Sequence, residues 1–137
     1  LAAMISSKHR FHGRNSLRFV LKRGRTVRGQ LLTLRYVRNN RQEVWRAAVV
    51  VGRKVNKSAV VRNRIRRRIY EIIRKNADLI SEPYDLLISV YGDEVARMPH
   101  ATLQRIVLDL LGRANVIRDV PETEGKRAII EQKENSK

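Results

Sequence analysis

The apolar residues of this chain change period as it runs, and each change marks an element. Leu17, Val20 and Leu21 fall at i, i+3 and i+4, with Phe19 off that stripe. This spacing predicts a short helix, which Asn15 or Ser16 is placed to cap and Gly24 to close. Leu32, Leu34 and Tyr36 then alternate with Thr33, Arg35 and Val37, the period of a half-buried strand. Beyond the turn-forming Asn39-Asn40-Arg41-Gln42, residues 44–51 (Val-Trp-Arg-Ala-Ala-Val-Val-Val) read as a more buried strand. Together the two strands predict an antiparallel hairpin, and a further short strand fits near 25–29.

Helical period returns at Ser58. Val61, Ile65, Ile69, Ile72 and Ile73 form one stripe over 58–76, which is expected to face the sheet. At about 100° per residue, Arg62, Asn63, Arg66, Arg67, Tyr70 and Arg74 fall on the opposite side. Arg64, Arg68 and Lys75 flank the stripe. Ser81-Glu82-Pro83 is a turn, and Tyr84–Tyr91 reads as a strand closed by Gly92-Asp93. Pro99 suits the first position of a last helix, where Leu103, Ile106, Val107, Leu110 and Leu111 share a face up to Gly112. The order is α-β-β-α-β-α with room for a third early strand, an α+β sandwich of helices on one small sheet.

Residues 4–14 show no clear period and read as an extended arm. The length of 137 residues suits one domain. It is expected over 8–118, with an N-terminal extension at 1–7 and a loose tail at 119–137. No apolar run approaches the roughly 20 residues that span a bilayer, and the N-terminus lacks the apolar segment of a signal peptide. With no cysteine, disulfides and thiolate chemistry are excluded. A cytoplasmic setting is the expectation.

Charge narrows the partner. Thirty Lys and Arg face thirteen Asp and Glu, a net charge of +17. Residues 1–77 hold 22 basic and 2 acidic side chains, and residues 78–137 hold 8 and 11. A polyanion therefore meets the first half, while the second half reads as scaffold. Arginine dominates there, and its planar fork matches phosphate better than an ammonium does. On the helix at 58–76, only Glu71 offsets the basic residues, so neutralisation is expected from outside. The extended basic surface argues for a monomer in the absence of RNA.

The run Ser58-Ala59-Val60-Val61-Arg62-Asn63-Arg64-Ile65-Arg66-Arg67, with Arg53-Lys54-Val55 before it, resembles the bacterial ribonuclease P protein family. The family pattern is an Ala, two variable residues, then Arg-Asn-basic-aliphatic-basic-basic. The resemblance covers about residues 8–113. It implies an α-β-β-β-α-β-α fold with a mainly antiparallel sheet and a left-handed βαβ crossover, an exception to the usual hand. It implies that Arg53, Lys54, Arg62, Asn63, Arg64, Arg66 and Arg67 dock on a catalytic RNA. It also implies a cleft between the first helix and the sheet for the single-stranded 5′ leader of precursor tRNA. Arg10, Phe11, Leu17, Phe19, Leu21, Arg35 and Tyr36 are the candidates for that cleft. Positions often aromatic in the family are Leu17, Leu21 and Arg35 here, and Phe19 and Tyr36 lie one or two residues away.

No catalytic constellation stands out in the protein. His9-x-x-His12 lies in the basic arm, Asp93-Glu94 reads as a turn, and Ser58 has no base beside it and reads as a helix cap. The resemblance implies that the RNA holds the Mg²⁺ ions, with no cofactor on the protein alone. The alternatives are a ribosomal or general RNA-binding protein on a similar fold, and a protein-only nuclease, which would need carboxylate clusters absent from the basic half.

Overall fold

The computed structural model describes residues 7–11 and 14–117. The expected tail at 119–137 and His12 lie outside them. Three helices and four strands follow in the order α1 (Arg14–Arg23), β1 (Arg25–Arg28), β2 (Leu32–Arg38), β3 (Arg46–Val51), α2 (Ala59–Lys75), β4 (Tyr84–Val90) and α3 (His100–Arg113). This is the α-β-β-β-α-β-α order and the α+β class the sequence points to.

Strand pairing departs from the predicted hairpin. The sheet order is β1-β2-β4-β3. β2 pairs antiparallel with β1 and β4, while β3 pairs only with β4, in parallel, through the crossover helix α2. The hairpin is therefore β1–β2. The Asn39–Gln42 turn leads instead across the place that β4 later fills. Proximity along the chain favoured the β2–β3 pair, but β4 takes both partners and buries nearly all of its own length.

The two faces of the sheet carry separate clusters. Leu32, Leu34, Ala47, Val49, Val51, Leu86, Ile88 and Val90 point to the face that α2 and α3 cover, together with Ile65, Ile69, Ile72, Ile73, Leu103, Leu110 and Leu111. Alternation carries Val37, Ala48 and Leu87 to the other face, where α1 packs Leu17 and Val20 beside Phe11. Gly24 ends α1, its N–H donating to the Val20 carbonyl at 2.7 Å. A Cβ there would stand 2.3 Å from that oxygen, so close approach requires the glycine. Gly112, expected to end α3, lies inside it. The left-handed residue after α3 is Asn115, at φ 58.

The exposed edge of β3 is covered. Arg10 bridges to Ala47 in parallel, so the segment read as a free arm docks on this edge. His9 stacks on Trp45 with centroids 4.0 Å apart, and its Nδ1 lies 2.8 Å from the Trp45 carbonyl oxygen. Tyr70, expected on the outer side of α2, is 6% exposed, and its hydroxyl accepts from the Val49 N–H at 3.0 Å. The helix lies across the sheet edge, so its buried arc is wider than its aliphatic stripe.

Candidate nucleic-acid interface

α2 forms where the sequence places it. Ser58 caps it, its hydroxyl accepting from the Val61 N–H at 3.3 Å. Ile65, Ile69, Ile72 and Ile73 are fully buried, which fixes the basic residues on the remaining arc. Asn63, Arg64 and Arg67 are exposed, and Arg66 is half-buried. Arg66 donates to the Asn63 side-chain oxygen at 3.0 Å, which holds these two side chains together.

Arg62 has a different task from the one its helical position suggests. Its Nη1 donates to the Asn56 and Lys57 carbonyl oxygens at 2.9 Å each. It therefore ties the start of α2 to the loop that precedes it. Asn56 completes that tie. Its side-chain oxygen accepts from the Ser58 N–H at 2.8 Å, and its amide donates to Asp93 at 3.0 Å. Sequence reading missed Asn56. The available signal was an Asn two residues before a helix cap, a position suited to a local side-chain turn. The same ties leave Arg53 and Lys54 exposed on a loop fixed at its far end. Among the described residues, Arg53, Lys54, Arg64 and Arg67 have no ion pair or side-chain hydrogen bond.

Two flanking cations are bound to the protein instead. Arg68 donates to the Val95 and Met98 carbonyl oxygens at 2.7 and 2.5 Å, linking α2 to the turn before α3. Lys75 and Arg74 both lie against Glu71, at 3.9 and 2.5 Å. The Arg74 hydrogen bond holds the Glu71 carboxyl below the usual carboxylate range.

The candidate leader residues divide. Leu17 is half-buried in the cluster under α1, and Leu21 is 49% exposed at the end of that helix. Arg35 lies beside them. Its guanidinium donates to the Leu21 carbonyl oxygen, to Gly24 O at 3.4 Å and to Thr26 Oγ1 at 3.2 Å. It thus occupies the carbonyl end of α1, where a cation is favoured. Phe11 is 5% exposed, with the Arg46 guanidinium carbon 5.5 Å from its ring centroid. Phe11 lies on the α1 side of the sheet edge, Arg10 bridges to Ala47 at that edge, and Phe19 is half-buried on α1. Tyr36 does not belong with them. It follows Leu32 and Leu34 to the opposite face, packs on the main core and meets Tyr84 edge-on at 6.4 Å. An alternating strand separates Arg35 and Tyr36 onto opposite faces, so both could not line one cleft.

Among the described residues no group of three or more His, Cys, Asp or Glu could hold a metal ion. No helix among them is long and apolar enough to cross a membrane.

Comparison with known proteins bears on this face. The profile of the family described as Ribonuclease P matches residues 5–115. A ribonuclease P protein component from Chloroflexus aggregans is 37% identical over 107 residues, covering 78% of this chain and 77% of that one. One from Brevibacillus brevis is 29% identical over 119 residues, covering 87% of this chain and 93% of its own. The solved RNase P protein of Thermotoga maritima superposes with a TM-score of 0.68 at 25% identity, covering 76% of this chain and 96% of that one. The Staphylococcus aureus protein, at 21% identity, shares the fold with a TM-score of 0.71, covering 80% of this chain and 98% of its own. These matches favour the ribonuclease P reading over a ribosomal or general RNA-binding protein.

Proposed function

The chain belongs to the ribonuclease P protein family, and from that membership we propose that it docks on the catalytic RNA through α2 and the loop at 52–57. The observation that carries this reading is four cations without protein partners, Arg53, Lys54, Arg64 and Arg67, close together on α2 and the loop before it, in a chain of net charge +17. Each phosphate they neutralise replaces part of the counterion atmosphere, which assists RNA folding when Mg²⁺ is scarce. Arg62, Asn63 and Arg66 complete the docking face. Arg62 also positions the loop, and Asn63 and Arg66 act as a bonded pair.

In the same reading, the groove between α1 and the sheet holds the 5′ leader of precursor tRNA. Arg10, Phe11, Leu17, Phe19, Leu21 and Arg35 are the contacts this reading assigns to it. The RNA holds the Mg²⁺ ions and activates the water that cuts the leader, and the protein supplies charge and a groove. Like charges across the basic face oppose self-association, so the protein is a cytoplasmic monomer until RNA binds.

The test is cleavage of precursor tRNA by a bacterial catalytic RNA at low Mg²⁺, with and without the protein. Stimulation by the protein is the expected outcome. No stimulation across several RNA classes, with co-sedimentation on ribosomal subunits, would overturn the reading. Cleavage by the protein alone would move the chemistry to the protein.

A further inference from the structure

We propose that Tyr91 is a base-stacking platform for an unpaired nucleotide of the leader, at the end of the groove nearest the docking face. The proposal rests on the leader-groove reading above. Leu21, Val50, Val60 and Tyr91 are the exposed large apolar side chains among the described residues, and Tyr91 is the aromatic one, at 65% exposure. Its backbone N–H donates to the Leu31 carbonyl oxygen at 2.8 Å, which carries the β2–β4 ladder one step past Val90. Continuing the alternation of Leu87 and Ser89 one residue past the end of β4 assigns Tyr91 to the face that α1 partly covers.

The register shows what surrounds it. α1 covers Val37, Leu87 and Ala48. The next row across the sheet is Arg28, Thr33, Ser89 and Val50, and Val50 is 45% exposed. This row has small side chains in the middle, Thr33 and Ser89, and its outer residues Arg28 and Val50 are exposed. One step further, the parallel register Val51–Val90 brings Gly52 beside Tyr91. Arg53 and Lys54 follow at once, exposed and without protein partners.

A flat ring on a floor of small residues, next to two free cations, matches the needs of one single-stranded nucleotide. The ring takes the base, whichever base it is, and the cations take the adjacent phosphates. A protein partner fits less well, since the surroundings are basic and hold little further exposed apolar surface. The site also supplies what the groove lacks. Leu17, Leu21 and Arg35 stand where stacking rings were expected, and Tyr91 offers one ring from a different strand.

The test is affinity of the reconstituted holoenzyme for precursor tRNAs of graded leader length and for leaderless tRNA, at fixed salt. Tyr91→Ala is expected to weaken binding of long-leader substrates by about five- to 150-fold and to leave leaderless tRNA unchanged. Tyr91→Phe, which keeps the ring, is expected to bind as the parent does. If the parent gains affinity with leader length and Tyr91→Ala gains it equally, the Tyr91 assignment is wrong and the leader groove stands. If Tyr91→Ala loses affinity for leaderless tRNA to the same extent, Tyr91 does not act on the leader. If the parent shows no dependence on leader length, the groove reading fails and this proposal with it.

Discussion

Asp85, with no exposure to solvent, holds Arg46 by two hydrogen bonds, Nε to Oδ1 at 3.0 Å and Nη2 to Oδ2 at 2.9 Å. Asn39 donates a third to the same carboxylate at 2.9 Å. The pair spans adjacent strands, since Arg46 faces Asp85 in the β3–β4 register. It also places the guanidinium over Phe11 at the side of the α1 groove. Removing the charge of one partner leaves the other buried and uncompensated, which costs about 3–5 kcal/mol. Asp85→Asn is expected near the low end, because the Arg46 side chain keeps 15% of its exposure. Urea denaturation measures this. A midpoint close to the parent's would show that the pair does not hold the strands together.

Tyr70 makes a second, smaller prediction. Tyr70→Phe keeps the ring in the core and removes the acceptor for the Val49 N–H at the sheet edge. A buried donor left without a partner costs about 1–3 kcal/mol. The change should lower the urea midpoint, and hydrogen exchange at Val49 should accelerate more than at Ile88 in the central strand.

How much could be read beforehand follows from how local each determinant is. α2 was legible to within a residue at each end, because its cap, its aliphatic stripe and its length all lie within one stretch of sequence. Every element existed where the period changed. The partner of β3 was not legible, because it depends on β4, more than thirty residues later, entering between two strands already made. Tyr70 and Arg62 were placed outward by helical angle alone. The sheet edge claims the first and two loop carbonyls claim the second, and neither contact has a periodic signature. Tyr36 was assigned to the groove from its nearness in sequence to Arg35, and strand alternation sends the two to opposite faces.

Glu71 gives a pH dependence. Its carboxyl lies below its ordinary value of 4.5, first through the hydrogen bond from Arg74 and then through the charges of Arg74 and Lys75, against the opposing effect of burial. A lowered folded-state value means the stabilisation is complete above the ordinary value and is lost as pH falls through the lowered one. The pairs are at the surface, so the contribution is about 0.3–0.5 kcal/mol. Glu71→Gln should be less stable than the parent at pH 7, and the difference should shrink as pH falls below 4.5 and through the lowered value. A difference that stayed constant across that range would mean the carboxylate charge is not the cause.

Arg62 and Arg67 lie five residues apart in α2, and the structure assigns them separable effects. Arg62 spends one nitrogen on the Asn56 and Lys57 carbonyls, so Arg62→Ala frees the basic loop as well as removing a charge. Loss of these hydrogen bonds should lower stability by about 1 kcal/mol. Arg67 is exposed and has no protein partner, so Arg67→Ala should change stability by less than about 0.5 kcal/mol. Both should weaken binding to the catalytic RNA. Arg67→Ala should flatten the dependence of log affinity on log salt by about 0.7–0.9, the value of one phosphate contact. Arg62→Ala should flatten it by more than one contact's worth, because Arg53 and Lys54 lose their fixed position with the loop. Urea denaturation and filter binding across a salt series measure the two effects independently. Equal stability losses together with equal slope changes would show that Arg62 serves only as a phosphate contact.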